Sequence, residues 1–447
     1  MRTKIHLALI LIAIPCILFA SGEKKIITNL TLDKAIEIAL KENSQLKIFK
    51  YEIEKSESRL NESFSSLFPN ISMEGTYIRN IKKPVFFLPD FFGGTGEVRP
   101  IEVGSRNSYT AALKFSMPIF MGQVYSGILI SKLGLEVSRL SYEEAIAQTK
   151  LNVTKAYLDV LFTRDTEKFI KKTFENAQKN LENAIKLNKV GILSDFELLS
   201  AQVEVEKLKP NVLQTEFTYQ TALNFLKTLL NLNSSDSIEV VGSIEEFMVA
   251  NQVPELNEQV IENSFTLKKL SLQKQIADNN IMLMKWGHYP NLVAFGNYQI
   301  QTQAENYDFN KYKWVKSAAV GVTLNIPIFS GMGVKSRVEQ AEIQSKVIDE
   351  TISATRKQLD IAIQNTRNKL ITSLEKIEAQ KVNREKAQKN YQIAEVRYNK
   401  GMSTQLEISN ANVNLLSAEL GYTQSIYEYL VARAELEYYL TSSIKSK

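Results

Sequence analysis

Phe115-Ser116-Met117-Pro118-Ile119-Phe120-Met121-Gly122 is written a second time as Leu324-Asn325-Ile326-Pro327-Ile328-Phe329-Ser330-Gly331, about 209 residues later. Two further stretches repeat with it. Lys189-Val190-Gly191-Ile192-Leu193-Ser194 returns as Asn399-Lys400-Gly401-Met402-Ser403-Thr404 at nearly the same spacing, and Phe68-Pro69-Asn70 matches Tyr289-Pro290-Asn291. Around these markers each half reads in one order: a helix, two short alternating strands, a very long helix, a glycine turn and a return helix. A duplicated unit with helices longer than a globular core needs describes a tube, not a pocket.

The strands follow from period-2 alternation. Ile71, Met73, Gly75 and Tyr77 alternate with Ser72, Glu74 and Thr76; Tyr109, Ala111, Leu113 and Phe115 alternate with Thr110, Ala112, Lys114 and Ser116. In the second half Leu292, Ala294, Gly296, Tyr298 and Ile300 stand against Asn297, Gln299 and Gln301, with Val293 and Phe295 blurring the polar side. Ala318, Val320, Val322 and Leu324 stand against Ser317, Ala319, Gly321, Thr323 and Asn325. Each run has the length of a tilted strand crossing a bilayer, about 9 to 11 residues. Aromatics crowd the strand ends: Trp286, Tyr289, Phe120 and Phe329, with Tyr307, Phe309, Tyr312 and Trp314 in the loop between the last pair. Such girdles mark the boundary between a barrel and its membrane, whereas a half-buried sheet in a soluble domain has no need of them.

Four strands in hydrocarbon would leave open edges, so the barrel must be shared between chains. Two copies give a narrow barrel of about 8 strands filled by side chains, and three give one of about 12, wide enough for a channel. The trimer is the expected assembly.

Between Gly122 and Gly191, and between Gly331 and Gly401, there is no proline. Leu151, Leu158 and Leu161 in the first interval, and Ile363, Leu370, Leu374 and Ile377 in the second, keep the steps of a coiled-coil seam. About 65 to 70 residues at about 1.5 Å each predict rods of roughly 100 Å. Each rod ends at a reciprocal signal: Ser194-x-x-Glu197 follows Gly191, and Thr404-x-x-Glu407 follows Gly401. Pro210 and Gly421 weaken the return helices at matched positions and mark possible kinks. Ile238-Glu239-Val240-Val241 reads as a short strand in the segment joining the halves.

Residues 1–22 have the form of a cleavable secretory signal: Arg2 and Lys4, an apolar run from Ile5 to Phe19, then Ala20-Ser21-Gly22. Cys16, the chain's single cysteine, lies in this segment behind Pro15, which does not suit lipid attachment. The mature chain is therefore expected to have no thiol chemistry. The formal charge of +5 includes two positive charges of the signal, and Lys and Glu are interspersed along the helices, so nothing reads as a nucleic-acid stripe. His6 and His288 are the only histidines, too few for a metal site. No nucleophile elbow, phosphate loop or zinc-helix motif is present, so the chain is expected to be no enzyme, to bind no cofactor and to draw transport energy from a partner.

On these residues the chain resembles the TolC-type outer-membrane channel family over nearly its whole mature length. Leu30-Thr31-Leu32-Asp33-Lys34-Ala35-Ile36-Glu37-Ile38-Ala39-Leu40 is similar to that family's opening stretch. The Gly191 and Gly401 turns, running into Phe196-Glu197-Leu198-Leu199 and Leu406-Glu407-Ile408, resemble its periplasmic tips. The resemblance implies a homotrimer in the outer membrane of a two-membrane bacterium, mainly α with membrane β. Its shared 12-stranded barrel would continue into a periplasmic α-barrel of 12 long helices. It also implies the function: the exit duct of a tripartite efflux or type I secretion system, docked to a periplasmic adaptor (membrane fusion) protein and an energised inner-membrane transporter. The adaptor is expected at the tips, around Gly191, Ser194, Gly401 and Thr404. Tyr398 matches the family's aromatic constriction position, Glu407 the first acidic ring position and Asn410 the second, while Ser403 replaces a basic locking residue. A helix cap alone also accounts for Glu407. The rival reading is an exported periplasmic coiled-coil spacer, which would come out of cells without detergent.

The expected organisation is thus a signal at 1–22, a first repeat at 23–232 with a hairpin at 71–80/108–116 and a tip near 191, a connecting segment at 233–256, and a second repeat at 257–447 with a hairpin at 291–301/315–325 and a tip near 401. Phe86-Phe87-Leu88-Pro89-Asp90-Phe91-Phe92-Gly93-Gly94, in an insertion of roughly 12 residues in the first repeat, is expected at the cell surface, folded over the mouth as an apolar plug or packed against lipid.

Overall fold

The computed structural model describes residues 26–89, 98–248 and 259–444. The expected signal at 1–22, the Asp90–Gly94 part of the apolar loop and part of the 233–256 connection lie outside the described residues. In chain order the elements are β1 (Ile26–Leu30), α1 (Leu32–Glu42), α2 (Ser44–Ser65), β2 (Asn70–Arg79), β3 (Val85–Pro89), β4 (Val98–Glu102), β5 (Asn107–Phe120), α3 (Gly122–Lys189) and α4 (Asp195–Leu229). There follow β6 (Ser237–Val240), α5 (Gln259–Glu262), α6 (Phe265–Lys285), β7 (Asn291–Ala304), β8 (Val315–Asn325), α7 (Gly333–Asn399) and α8 (Gln405–Ile444). The chain is mainly helical with a small complement of strands.

It divides into two compact units, with boundaries inside α1, α3, α7 and α8 and after Met248. The first holds the described residues up to Ala39, Val153–Met248 and Val382–Gln424. Here β1 and β6 pair in parallel, Ile27 opposite Ile238 and Leu30 opposite Val240. The Tyr157 hydroxyl donates to the carbonyls of Leu30 (3.0 Å) and Val241 (2.6 Å), and Arg164 donates through Nη1 to the Val240 carbonyl (3.0 Å). Two polar side chains of α3 thus tie the backbone of this two-stranded sheet to the long helix. The helices pack pairwise: Ala177 of α3 against Val205 and Leu208 of α4, and Tyr391 and Tyr398 of α7 against Ile408 and Ala411 of α8. Of the predicted seam residues, Leu158, Leu161, Ile363, Leu370 and Ile377 are buried and Leu374 is half-buried. Each fully buried Leu contributes about 1.5–3 kcal/mol. Both α4 and α8 remain helical through Pro210 and Gly421. Pro210 offers no N–H to the Glu206 carbonyl, yet the packing on either side carries the helix across.

The second unit holds Leu40–Asn152, the described part of Val249–Lys381, and the chain from Ser425. It contains a four-stranded antiparallel sheet in the order β2-β5-β7-β8. A short hairpin, β3 with β4, pairs Phe86 with Ile101 across the ladder. Phe86 and Phe87 are both exposed.

Candidate functional site

Two places carry the features that the sequence singles out: the sheet, and the turns at which α3 and α7 end.

In the sheet, register fixes the faces. Glu74 lies opposite Ala112, Ala112 opposite Gln299, and Gln299 opposite Ser317. Because in-register residues share a face, one face collects Ser72, Thr76, Thr110, Asn297, Gln301 and Thr323. The other collects Met73, Leu113, Phe115, Tyr298, Val320 and Val322. This second face is apolar yet open: Met73 is 78% and Val320 90% exposed. Among the described residues β2 and β8 each have a single strand neighbour, which leaves one edge of each without a ladder partner. No described helix is long and apolar enough to cross a membrane.

Aromatic clusters close both ends of the sheet. Where the loops lie, Tyr77 stacks on Tyr109 at 4.8 Å and Tyr109 meets Phe309 and Tyr312, each at 5.6 Å. Where the helices join, Trp286 meets Phe120 at 6.1 Å and Tyr289 at 5.1 Å, and its Nε1–H donates to the Ser126 hydroxyl (3.0 Å). Gly122 is required here: a Cβ at that position would lie 2.0 Å from the Trp286 ring.

The two turns are near copies. Gly191 (φ 76°) and Gly401 (φ 69°) both adopt the left-handed conformation. Ile192 N–H donates to the Leu187 carbonyl and Met402 N–H to that of Arg397, both at 2.9 Å, in the six-to-one pattern of a Schellman stop. The helices that follow start differently. Ser194 and Glu197 form a reciprocal capping box, with the Ser194 hydroxyl accepting from Glu197 N–H and the Glu197 carboxylate accepting from Ser194 N–H, both at 3.3 Å. In the second turn Thr404 accepts from Glu407 N–H (3.3 Å), but the Glu407 carboxylate is taken by the Ser403 hydroxyl (2.5 Å). Ser403, which stands where the family resemblance places a basic lock, thus holds the carboxylate.

Glu407 and Asn410 are exposed. Tyr398 is not: it is 2% exposed and packs with Tyr391, Ile408 and Ala411 inside its own chain. Burial pushes its hydroxyl pKa up, and the Glu197 carboxylate adds to the shift. The Tyr398 hydroxyl and the Gln405 Oε1 are buried, and among the described residues they have no hydrogen-bond partner. Beside the turns, Phe196, Leu199 and Val203 of α4 and Leu406 of α8 line a groove of about 730 Å³, with Glu197 and Gln405 as polar members. All four apolar residues are exposed. Sequence reading missed this groove because it is assembled from two helices about 200 residues apart; the only local sign is an apolar side chain on the open face of each helix start. Among the described residues no group of His, Cys, Asp and Glu could hold a metal ion.

Comparison with known proteins finds a family model, outer membrane efflux protein, matching residues 35–232 and 256–441. The chain is 20% identical to the outer membrane protein TolC of Salmonella enteritidis, over 86% of this chain and 76% of that protein. It is 20% identical to TolC of Escherichia coli K12 over 85% and 76%. Among solved structures, the Campylobacter jejuni CmeC outer membrane channel superposes with a TM-score of 0.77 at 18% identity, covering 93% of this chain and 87% of that one. The open state of the Neisseria gonorrhoeae MtrE outer membrane channel gives 0.72 at 17% identity, covering 92% and 88%.

Proposed function

This chain belongs to the outer membrane efflux protein family, TolC-type channels of the outer membrane with a periplasmic extension, and from that premise we propose how it works. Three copies close their four-stranded sheets into one twelve-stranded barrel, and their duplicated helical halves continue it as a periplasmic tunnel. The assembly is a passive, non-enzymatic exit duct of a tripartite efflux or type I secretion system, energised by an inner-membrane transporter and joined to it by a periplasmic adaptor. One observation carries this reading. The sheet has an open edge on each side and an exposed apolar face on strands of 10 to 14 residues. A soluble sheet would bury that face, and a lipid-exposed one must close its edges. Purified protein in planar bilayers is expected to conduct ions; protein that inserts and never conducts would contradict the duct.

The turns around Gly191, Ser194, Gly401 and Thr404 are the adaptor-facing tips. Exposed Ile192 and Met402 at these turns support that role. The narrowest point lies at the second tip, where three copies of Glu407, with Asn410 a turn further on, ring the opening. A carboxylate ring favours cations, so Glu407→Gln should lower cation selectivity in single-channel recordings; unchanged selectivity would reject the ring. Tyr398 supports this constriction from within, as the buried residue on which the start of α8 rests.

A further inference from the structure

The polar face of the sheet is nearly free of charge. Across β2, β5, β7 and β8 its residues are Asn, Gln, Ser, Thr and small or apolar side chains, with two exceptions, Glu74 and Lys114. These two meet diagonally across the β2–β5 ladder at 2.5 Å, and both are more than half exposed. Arg79 and Lys316, the other charged residues of these strands, share the apolar face and sit at strand ends, where long side chains reach polar surroundings.

An exposed ion pair contributes only about 0–1 kcal/mol to stability, so holding the sheet together does not explain why the face has one charge of each sign. Position does. Both charges lie mid-strand, and at that depth a barrel's inner wall is its low-dielectric, field-focusing part. We propose that Glu74 and Lys114 set the electrostatic potential of the barrel's inner wall as a self-cancelling pair, so that the barrel passes anionic and cationic solutes without sorting them by charge. The proposal rests on the three-chain barrel described above. In that barrel, loss of one partner leaves three like charges around one cross-section, each uncompensated on the wall beside it.

Ser72 lies directly opposite Lys114 and shares its face, while Met73 shares the apolar one. In intact outer membranes, a Ser72→Cys protein is treated with positively and negatively charged methanethiosulfonate reagents, and the ratio of the two rates reports local potential. Parent protein supplies the background. Adding Lys114→Gln is expected to raise the cationic-to-anionic ratio about fivefold or more, and adding Glu74→Gln to lower it by a similar factor. The double variant Glu74→Gln/Lys114→Gln should return to the Ser72→Cys value. A ratio that neither single variant moves, or that both move in one direction, overturns the proposal and leaves the barrel standing. Failure of Ser72→Cys to react while Met73→Cys reacts readily would show the polar face turned from water, and the barrel reading would fall together with the proposal.

Discussion

Phe120 and Phe329 occupy matching positions in the two copies of one motif and end in different surroundings. Phe120, 44% exposed, packs edge-on against Trp286 at 6.1 Å, while Phe329 is 82% exposed. The strands differ in the same sense. β5 pairs with β7 past Pro118 as far as Phe120, across an irregularity, whereas β8 stops at Asn325 and leaves Ile328 94% exposed. One strand is internal to the sheet and the other forms its edge. Local sequence is nearly the same, so the neighbour decides how far a strand runs and what its aromatics touch. The edge copy marks where this chain stops being sufficient to itself.

Lipid exposure tests that contrast most severely. Val320→Arg, on the open face of β8, is expected to cost about 2–4 kcal/mol per chain at mid-bilayer depth and to abolish assembled protein in outer-membrane fractions. Ala319→Arg, on the other face of the same strand, should preserve it. Equal loss in both would break the assignment of faces. Next come the motif glycines. Gly122→Ala drives a Cβ into the Trp286 ring and should cost about 1–3 kcal/mol. Gly331 (φ 59°) has open space around it, so its alanine variant bears only the backbone term, about 1–2 kcal/mol. Denaturant midpoints in detergent should rank the two in that order, and a reversed order would remove Trp286 as the anchor. Trp286→Phe loses the bond to Ser126 and should cost about 1 kcal/mol by thermal midpoint. Smallest is the difference between the tips. Ser194→Ala removes a hydroxyl that both accepts from Glu197 N–H and donates to the Glu197 carboxylate, about 1 kcal/mol, while Thr404→Ala removes only the acceptor for Glu407 N–H. Hydrogen exchange should therefore rise more at 195–198 than at 405–408; equal rises would make the two starts equivalent.

Local chemistry was readable where a signal lies within a few residues. Alternation from Ile71 to Tyr77 falls within β2, and Gly191 with Ser194-x-x-Glu197 anticipates both the left-handed stop and the box. The second tip was half readable: Thr404 caps as its spacing predicts, but nothing local says that Ser403 will claim the Glu407 carboxylate. β1 was missed because five residues around a positive-φ Asn29 make no strand pattern, and its parallel partner lies over 200 residues away. Tyr157 and Arg164 look like ordinary helix residues until the carbonyls they serve are in place. Tyr398 shows a different limit. The family resemblance matches it to a constriction position, but only the packing of α7 on α8 shows that its ring is buried in its own chain.

Closure of the two open edges of this sheet by other copies of the same chain is measured most directly by the native mass of the detergent-extracted mature protein. Three chains in one particle is the predicted result. A single chain that leaves the cell envelope without detergent would contradict the barrel, and with it the duct.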